Sequence, residues 1–268
     1  MIIALRGHIR KSFNNDDLYK LLRKIVKSNP ETKIYIHTWN ILQSDASWRP
    51  MDKIDIQVTP EKIKKYFRGV SKNIVNITID DDSKIKLHDS KPYKIFWKRY
   101  AYGKKVLMDT IKKNERDNDL VLNTRFDVLD NSIALNVFHV KRWVDLKVKQ
   151  YRENPHQIHF LLPKGGCDNI YIGKTQNISK LVDHVYFNAT RFLRQYKMRE
   201  QIFIGEAENL FGKNNVATSS QAIYLALFFL GGYNKMITNS FTKNYAPYKY
   251  WTDRVCKAKM RKNMSYDK

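Results

Sequence analysis

MIIALRGHIRKSFNNDDLYKLLRKIVKSNPETKIYIH, residues 1–37, decides the fold. Ile2, Ile3 and Leu5 make a short apolar run that Arg6-Gly7 ends, as a buried strand does. Asn14 or Asn15 caps a helix that begins at Asp16-Asp17, where acidic side chains suit the N-terminal dipole. Leu18, Leu21, Leu22, Ile25 and Val26 give that helix one apolar face, and Asn29-Pro30 stops it. Residues 33–37 (Lys-Ile-Tyr-Ile-His) are a second strand. Strand, helix and strand in so short a stretch make a βαβ unit, so a parallel sheet begins at the first residue.

Working outward, the pattern stays mixed. Residues 54–58 alternate and suit a strand, 60–68 a short helix, and Asp80-Asp81-Asp82-Ser83 a surface loop. A long helix is expected from about Tyr93 to Asn114, with Ile95, Phe96, Tyr100, Val106, Leu107 and Ile111 as its apolar positions. Residues 119–123 then form a central strand that runs into Thr124-Arg125-Phe126-Asp127. Residues 159–162 and 168–172 read as strands around a Lys164-Gly165-Gly166 turn. Residues 178–198, 207–211 and 219–229 read as helices. With no internal repeat and no low-complexity linker, the reading is one α/β domain with a mainly parallel, Rossmann-like central sheet flanked by helices.

Composition narrows the function classes. The 268 residues carry 49 Lys+Arg against 26 Asp+Glu, a formal net charge of +23. With 43% hydrophobic residues, the chain has enough apolar surface to fold. Two cysteines, Cys167 and Cys256, exclude a disulfide scaffold and make a reducing compartment the default. Residues 1–5 are too short for a signal peptide, and the longest apolar run, 222–230, is too short to span a bilayer. The expectation is a cytoplasmic protein, soluble or peripheral to a membrane. The charge suits nucleic acid, an anionic membrane face, or a smaller anionic ligand with the remaining lysines solvated.

Several short stretches can carry chemistry. Arg6-Gly7-His8-Ile9-Arg10 follows the first strand, where open parallel sheets bind ligands. Gly7 admits a close backbone approach, and the arginines offer forked donors to phosphate; the plainer alternative is a tight turn with solvated arginines. No GxGxxG or Walker A pattern is present. His37 and Trp39 end the second strand and either frame a base or sugar, or simply pack over the sheet edge. Arg125-x-Asp127 ends the central strand, where a carboxylate can hold Mg²⁺ or Mn²⁺ against a diphosphate or form a structural Arg–Asp pair. Asp168 follows Gly165-Gly166-Cys167. Glu206 is expected at a helix N-terminus, either structural or a general base toward a hydroxyl. No GxSxG or HExxH pattern is present, and His156 and His159 do not have metal-ligand spacing.

Taken in order, these stretches resemble the GT-A-type glycosyltransferases of bacterial surface-polysaccharide and viral glycan synthesis. The resembling residues are Arg6-Gly7-His8-Ile9-Arg10, Ile36-His37-Thr38-Trp39, Trp97-Lys98, Asp119-Leu120-Val121-Leu122 with Arg125-Phe126-Asp127, residues 168–173, and Gly205-Glu206. They span roughly residues 1–215. The resemblance implies a GT-A-like domain over 1–251, with the donor-binding part at about 1–130 and the acceptor side at about 131–251, followed by a basic tail, 252–268. It implies a nucleotide-sugar donor, a glycan acceptor, and donor contacts from Arg6, Gly7, His8, Arg10, His37, Trp39, Arg125 and Asp127. Arg125-x-Asp127 resembles the family's DxD motif with its first carboxylate replaced. The implied metal, Mn²⁺ or Mg²⁺, would then rest on Asp127 with Asp130 as helper, or be replaced in part by Arg125 and nearby lysines. Asp168 is implied at the sugar and Glu206 as the base, or the reverse.

The rival class is a nucleic-acid-binding or processing protein. Its best support is the run of aromatic and basic residues from Tyr245 to Lys262. A non-catalytic glycan-binding relative is the third reading. Peripheral contact with anionic membrane is a further expectation for the surplus charge.

Overall fold

The computed structural model describes residues 1–45, 51–81, 83–85, 87, 91–130, 135–151, 153, 155–162 and 167–219. The expected βαβ unit is there: β1 (Ile2–Arg6), α1 (Asp17–Ser28) and β2 (Lys33–Trp39). The N-cap of α1 is Asp16, one residue past the expected Asn14 or Asn15, and it makes no side-chain capping bond; Asn15 Oδ1 accepts from the backbone N–H of Asp17 at 2.9 Å. Leu18, Leu21, Leu22 and Ile25 are buried, as their spacing predicts.

The chain continues through a small antiparallel pair, β3 (Ile41–Gln43) and β4 (Ile54–Gln57), then α2 (Pro60–Tyr66) and β5 (Ile74–Asp80). Helix α3 (Pro92–Asn114) leads to β6 (Leu120–Arg125), and α4 (Val137–Tyr151) to β7 (Ile158–Phe160) and β8 (Ile170–Lys174). Helices α5 (Thr175–Phe187), α6 (Ala189–Gln195) and α7 (Ile202–Phe211) precede β9 (Val216–Thr218).

Seven strands form one sheet in the order β5-β2-β1-β6-β8-β7-β9. The β5, β2, β1 and β6 strands run parallel, and β8 pairs antiparallel with both β6 and β7. The α/β class and the mainly parallel sheet flanked by helices are as the sequence predicts. The β1→β2 step and the β5→β6 step cross the sheet in opposite directions, so right-handed crossovers put α1 and α3 on opposite faces. In keeping with this, α1 packs with α4, and α3 packs with α5 and α6. The middle strands are buried throughout, as expected where helices cover both faces.

The register sets up the site. Arg6 lies opposite both His37 of β2 and Arg125 of β6, so three parallel strands end level at their carboxyl ends.

Three further expectations change. The helix expected over 178–198 is two helices, α5 and α6, that meet at Asn188. The helix expected over 207–211 begins at Ile202, which puts Glu206 in its interior rather than at its N-terminus. Asp80, expected in a loop, is the last residue of β5. The expected Lys164-Gly165-Gly166 turn, the helix at 219–229, the run from Tyr245 to Lys262 and the tail 252–268 lie outside the described residues. No helix among the described residues is long and apolar enough to cross a membrane.

Candidate functional site

The level strand ends bring five expected residues together, Gly7, His8, Arg10, Arg125 and Asp127. Gly7 has φ +96°, a conformation that favours glycine, and a Cβ there would meet nothing within 4 Å. The backbone turns at Gly7 and again at Arg10, which has φ +54°. A non-glycine residue in that region carries about 1 kcal/mol or more of strain. The turn aims the Arg10 guanidinium across to the end of β6, where its Nη1 donates to Asp127 Oδ2 at 2.7 Å. Arg125 grips the same carboxylate with a fork: Nε to Oδ1 at 2.7 Å and Nη2 to Oδ2 at 2.6 Å. The remaining Arg125 nitrogen, Nη1, donates to Asn169 Oδ1 at 3.1 Å. The Asp127 side chain is 3% exposed, and the two arginines are 12% and 14% exposed.

His8 sits among these charges. Its pKa is lowered to about 3, chiefly because the ring is buried, and further by the charges of Arg10, Arg99 and Arg125. Asp127 pulls the other way. The ring is therefore neutral at ordinary pH, and it stacks on Trp39 with centroids 5.7 Å apart. Arg99, from the first half of α3, also donates to Ser44 Oγ at 3.0 Å. Sequence reading missed Arg99, although it is next to the Trp97-Lys98 pair. The signal was its place on a helix that leads into β6.

Arg6, His37 and Trp39 are buried and do not face solvent at the strand ends. Arg6 is 1% exposed. Its Nε donates to Asn123 Oδ1 at 2.7 Å, and its Nη2 donates to Tyr100 Oη at 2.7 Å and to the Asp168 carbonyl at 2.8 Å. It holds the floor of the site together and is not a free phosphate donor. His37 is fully buried and paired with Asp80 at 3.1 Å. Trp39 is 2% exposed, with Tyr102 stacked on it at 5.9 Å as well as His8. Its ring is packing, and no face is left open to a base.

Asp168 is buried, with its carbonyl held by Arg6. Both of its carboxylate oxygens are buried without a direct hydrogen bond among the described residues. Tyr100 and Tyr171 face it, and both phenols are pushed up, first by burial and with Asp168 adding to the effect. Glu200 is a second carboxyl near Asp168; burial raises it most, and the Asp168 charge adds. Lys104 is fully buried, with Nζ 3.1 Å from the Phe203 ring centroid and 4.4 Å from that of Tyr100. These groups come from β1, β6, β8, α3 and two short turns, and only Arg6 and Asp168 were singled out from sequence.

Glu206 belongs to a different cluster. Its Oε1 accepts from Tyr196 Oη at 2.6 Å and from Asn209 Nδ2 at 3.3 Å, and its Oε2 is 2.8 Å from His184 Nε2. Both oxygens are used to tie α5 and α7 to the end of α6, which corrects the expectation of a free base.

The expected divalent metal does not fit this arrangement. Both Asp127 oxygens are occupied by guanidinium N–H groups. The expected helper, Asp130, takes a hydrogen bond from Ser12 Oγ at 2.9 Å. Among the described residues no three His, Cys, Asp or Glu side chains are grouped to hold an ion.

No protein-family model matches the chain, and no curated protein matches it. Among solved structures, the chain is similar to the galactosyltransferase LgtC in complex with donor and acceptor sugar analogs. The identity is 13% and the TM-score 0.40, over 82% of this chain and 73% of that one. An active-site mutant of LgtC gives 13% identity and a TM-score of 0.39 over the same shares.

Proposed function

We propose that this chain is a glycosyltransferase that moves a sugar from a nucleotide-sugar donor to a glycan hydroxyl. One observation carries the reading. Three guanidiniums surround a neutral imidazole at the carboxyl ends of parallel strands, with a buried, unsatisfied carboxylate beside them. Such a crevice suits a diphosphate, and the adjacent carboxylate suits sugar hydroxyls. The order of the sequence motifs supports the same class.

In this reading the diphosphate lies over Gly7, where an added Cβ would meet nothing within 4 Å. Arg10, Arg99 and Arg125 face the negative charge that grows as the nucleoside diphosphate leaves, which is where fixed cations lower a barrier most. The sugar points toward Asp168, whose free oxygens accept from its hydroxyls or take the proton of the attacking hydroxyl. Asp168 takes the role that Glu206 cannot fill. Arg6 keeps the Asp168 turn, Tyr100 and Asn123 in place, and is a positioning residue. We assign the donor part to about residues 1–130 and the acceptor side to the chain beyond.

The test is a screen of common nucleotide sugars for released nucleoside diphosphate. At least one donor is expected to turn over. Asp168→Asn is expected to lower kcat/KM by about 10²-fold or more, with its melting temperature within a few degrees of wild type. No turnover with any donor, together with tight and salt-steep binding of single-stranded DNA, would instead establish the nucleic-acid reading.

A further inference from the structure

We propose that Arg125, with Arg10 and Arg99, takes the place of a divalent cation at the donor diphosphate, and that Asp127 positions these arginines instead of ligating metal. The inference rests on the donor site proposed above and adds what neutralises the diphosphate there.

Charge and geometry agree on it. A pair of carboxylates at the end of β6 with a bound divalent ion would sum to zero. Arg125 and Asp127 already sum to zero without an ion, because one carboxylate position is a guanidinium. Arg10 donates to the same carboxylate and Arg99 stands near His8, so both add cationic groups at this strand end. For Asp127 to bind a metal, it would have to give up the fork from Arg125 or the bond from Arg10, and the ion would sit against two guanidiniums. That arrangement sets like charges against one another. A guanidinium fork fits phosphate oxygens in the geometry that a point charge lacks. Arg125 has five N–H groups, and three of them are engaged, two by Asp127 and one by Asn169. Two remain for an incoming phosphate. The carboxylate explains why these cations stay fixed: it locks both side chains in one orientation, so little order has to be created when the anion arrives.

Titration of the full chain with inorganic pyrophosphate tests this, in EDTA and with Mn²⁺, alongside Mn²⁺ alone followed by its electron paramagnetic resonance. Pyrophosphate is expected to bind in EDTA with a Kd within about threefold of its value with Mn²⁺, and Mn²⁺ alone is expected not to bind. Arg125→Lys is expected to weaken pyrophosphate by about tenfold or more, since it keeps the charge and loses the fork. Asp127→Asn separates the two roles. A metal ligand lost means binding lost, whereas a positioning carboxylate made neutral leaves the cleft more positive. Asp127→Asn is therefore expected to keep binding pyrophosphate in EDTA within about threefold of wild type, the added positive charge offsetting the looser arginines. Should that variant fail to fold, the wild-type comparison in EDTA decides. Binding of pyrophosphate only with Mn²⁺ overturns the proposal and leaves the donor site standing. No binding under either condition overturns both. Binding in EDTA without turnover of any nucleotide sugar upholds the guanidinium site and removes the transferase reading.

Discussion

Arg6 shows what a cation at a strand end does when it points inward. Burying a guanidinium is costly unless its N–H groups are matched, and here Asn123, Tyr100 and the Asp168 carbonyl match Nε and Nη2, while Nη1 is buried with no hydrogen bond among the described residues. Arg6→Met is expected to leave Asn123 Oδ1 without its partner, while Tyr100 Oη keeps its 2.7 Å bond to the Asp168 carbonyl, and to cost about 1–3 kcal/mol. At roughly 2–4 °C per kcal/mol, thermal denaturation should show a clear fall, while any soluble variant keeps its pyrophosphate binding because Arg6 is buried and does not face solvent at the strand ends. A melting temperature equal to wild type would mean these bonds contribute nothing. Sequence gave Arg6 and Arg10 the same role, because nothing in Arg-Gly-His-Ile-Arg tells an inward arginine from one that faces a ligand. The histidines carry a pH dependence whose sign can be worked out. His8 and His159 are lowered by burial to about 3 and about 4. Unfolded, each takes up a proton near pH 6.5, and folded, each stays neutral until well below that. The unfolded state therefore binds more protons, and stability falls as pH drops below about 6.5 toward the folded values. Each ring is expected to cost about 2 kcal/mol between pH 7 and pH 5. Urea unfolding at the two pH values measures it, and His159→Gln should remove about half of the difference.

Helix α3 is held to β2 through one close approach. Gly103 faces His37, and a Cβ at that position would lie 2.8 Å from Nδ1 and 2.9 Å from Cε1 of the ring. The ring cannot swing away, because it is fully buried and tied to Asp80 of β5. Gly103→Ala is thus expected to push α3 off the sheet at about 1–3 kcal/mol, partly offset by about 1 kcal/mol of better helix propensity. Since α3 also carries Arg99 and Tyr100, the variant is expected to lose pyrophosphate affinity along with stability. An alanine variant more stable than wild type would show that α3 and β2 have room to spare. The elements that were legible in the sequence are those with a local signature. Strand β1 ends in Arg-Gly, α1 has its apolar stripe and Asn-Pro stop, and α3 and β6 follow one another with clear periodicity. Strand β5 alternates only weakly, over Ile74-Val75-Asn76-Ile77-Thr78-Ile79-Asp80, and its place comes from pairing with β2. Strands β3 and β9 are three residues each, too short for any period, and they exist because a neighbour pairs with them. Helix α4 had the signal, with Val140, Trp143 and Val144 buried at helical spacing, and it was not read. Glu206 was misplaced because a helix start without a capping side chain leaves no mark in sequence.

For the molecule as a whole, the question is what +23 does to a folded chain. Arg10, Arg99 and Arg125 bring three of the cations to the strand ends, beside the Asp127 carboxylate. The rest is spread over surfaces such as α1, where Lys20, Arg23, Lys24 and Lys27 are all exposed. Two effects of opposite sign then compete. Exposed pairs such as Arg68–Asp16 and Lys53–Asp55 attract, but each contributes no more than about 1 kcal/mol and is weakened by salt. The uncompensated lysines and arginines repel one another in the compact state, and salt weakens that as well. With almost twice as many cations as anions, repulsion has the larger sum. The Asp127 cluster is too buried to respond much to either. Raising sodium chloride from low to physiological strength is therefore expected to raise the thermal midpoint, with pyrophosphate raising it further by occupying the cleft. Calorimetry at a series of salt concentrations measures the first effect, and Arg125→Lys should reduce the second while leaving the first unchanged. A midpoint that falls with salt would mean that surface pairs outweigh the net charge. A pyrophosphate effect that survives Arg125→Lys in full would mean that the anion is held by the general surface charge and not by the cleft at the ends of β1 and β6.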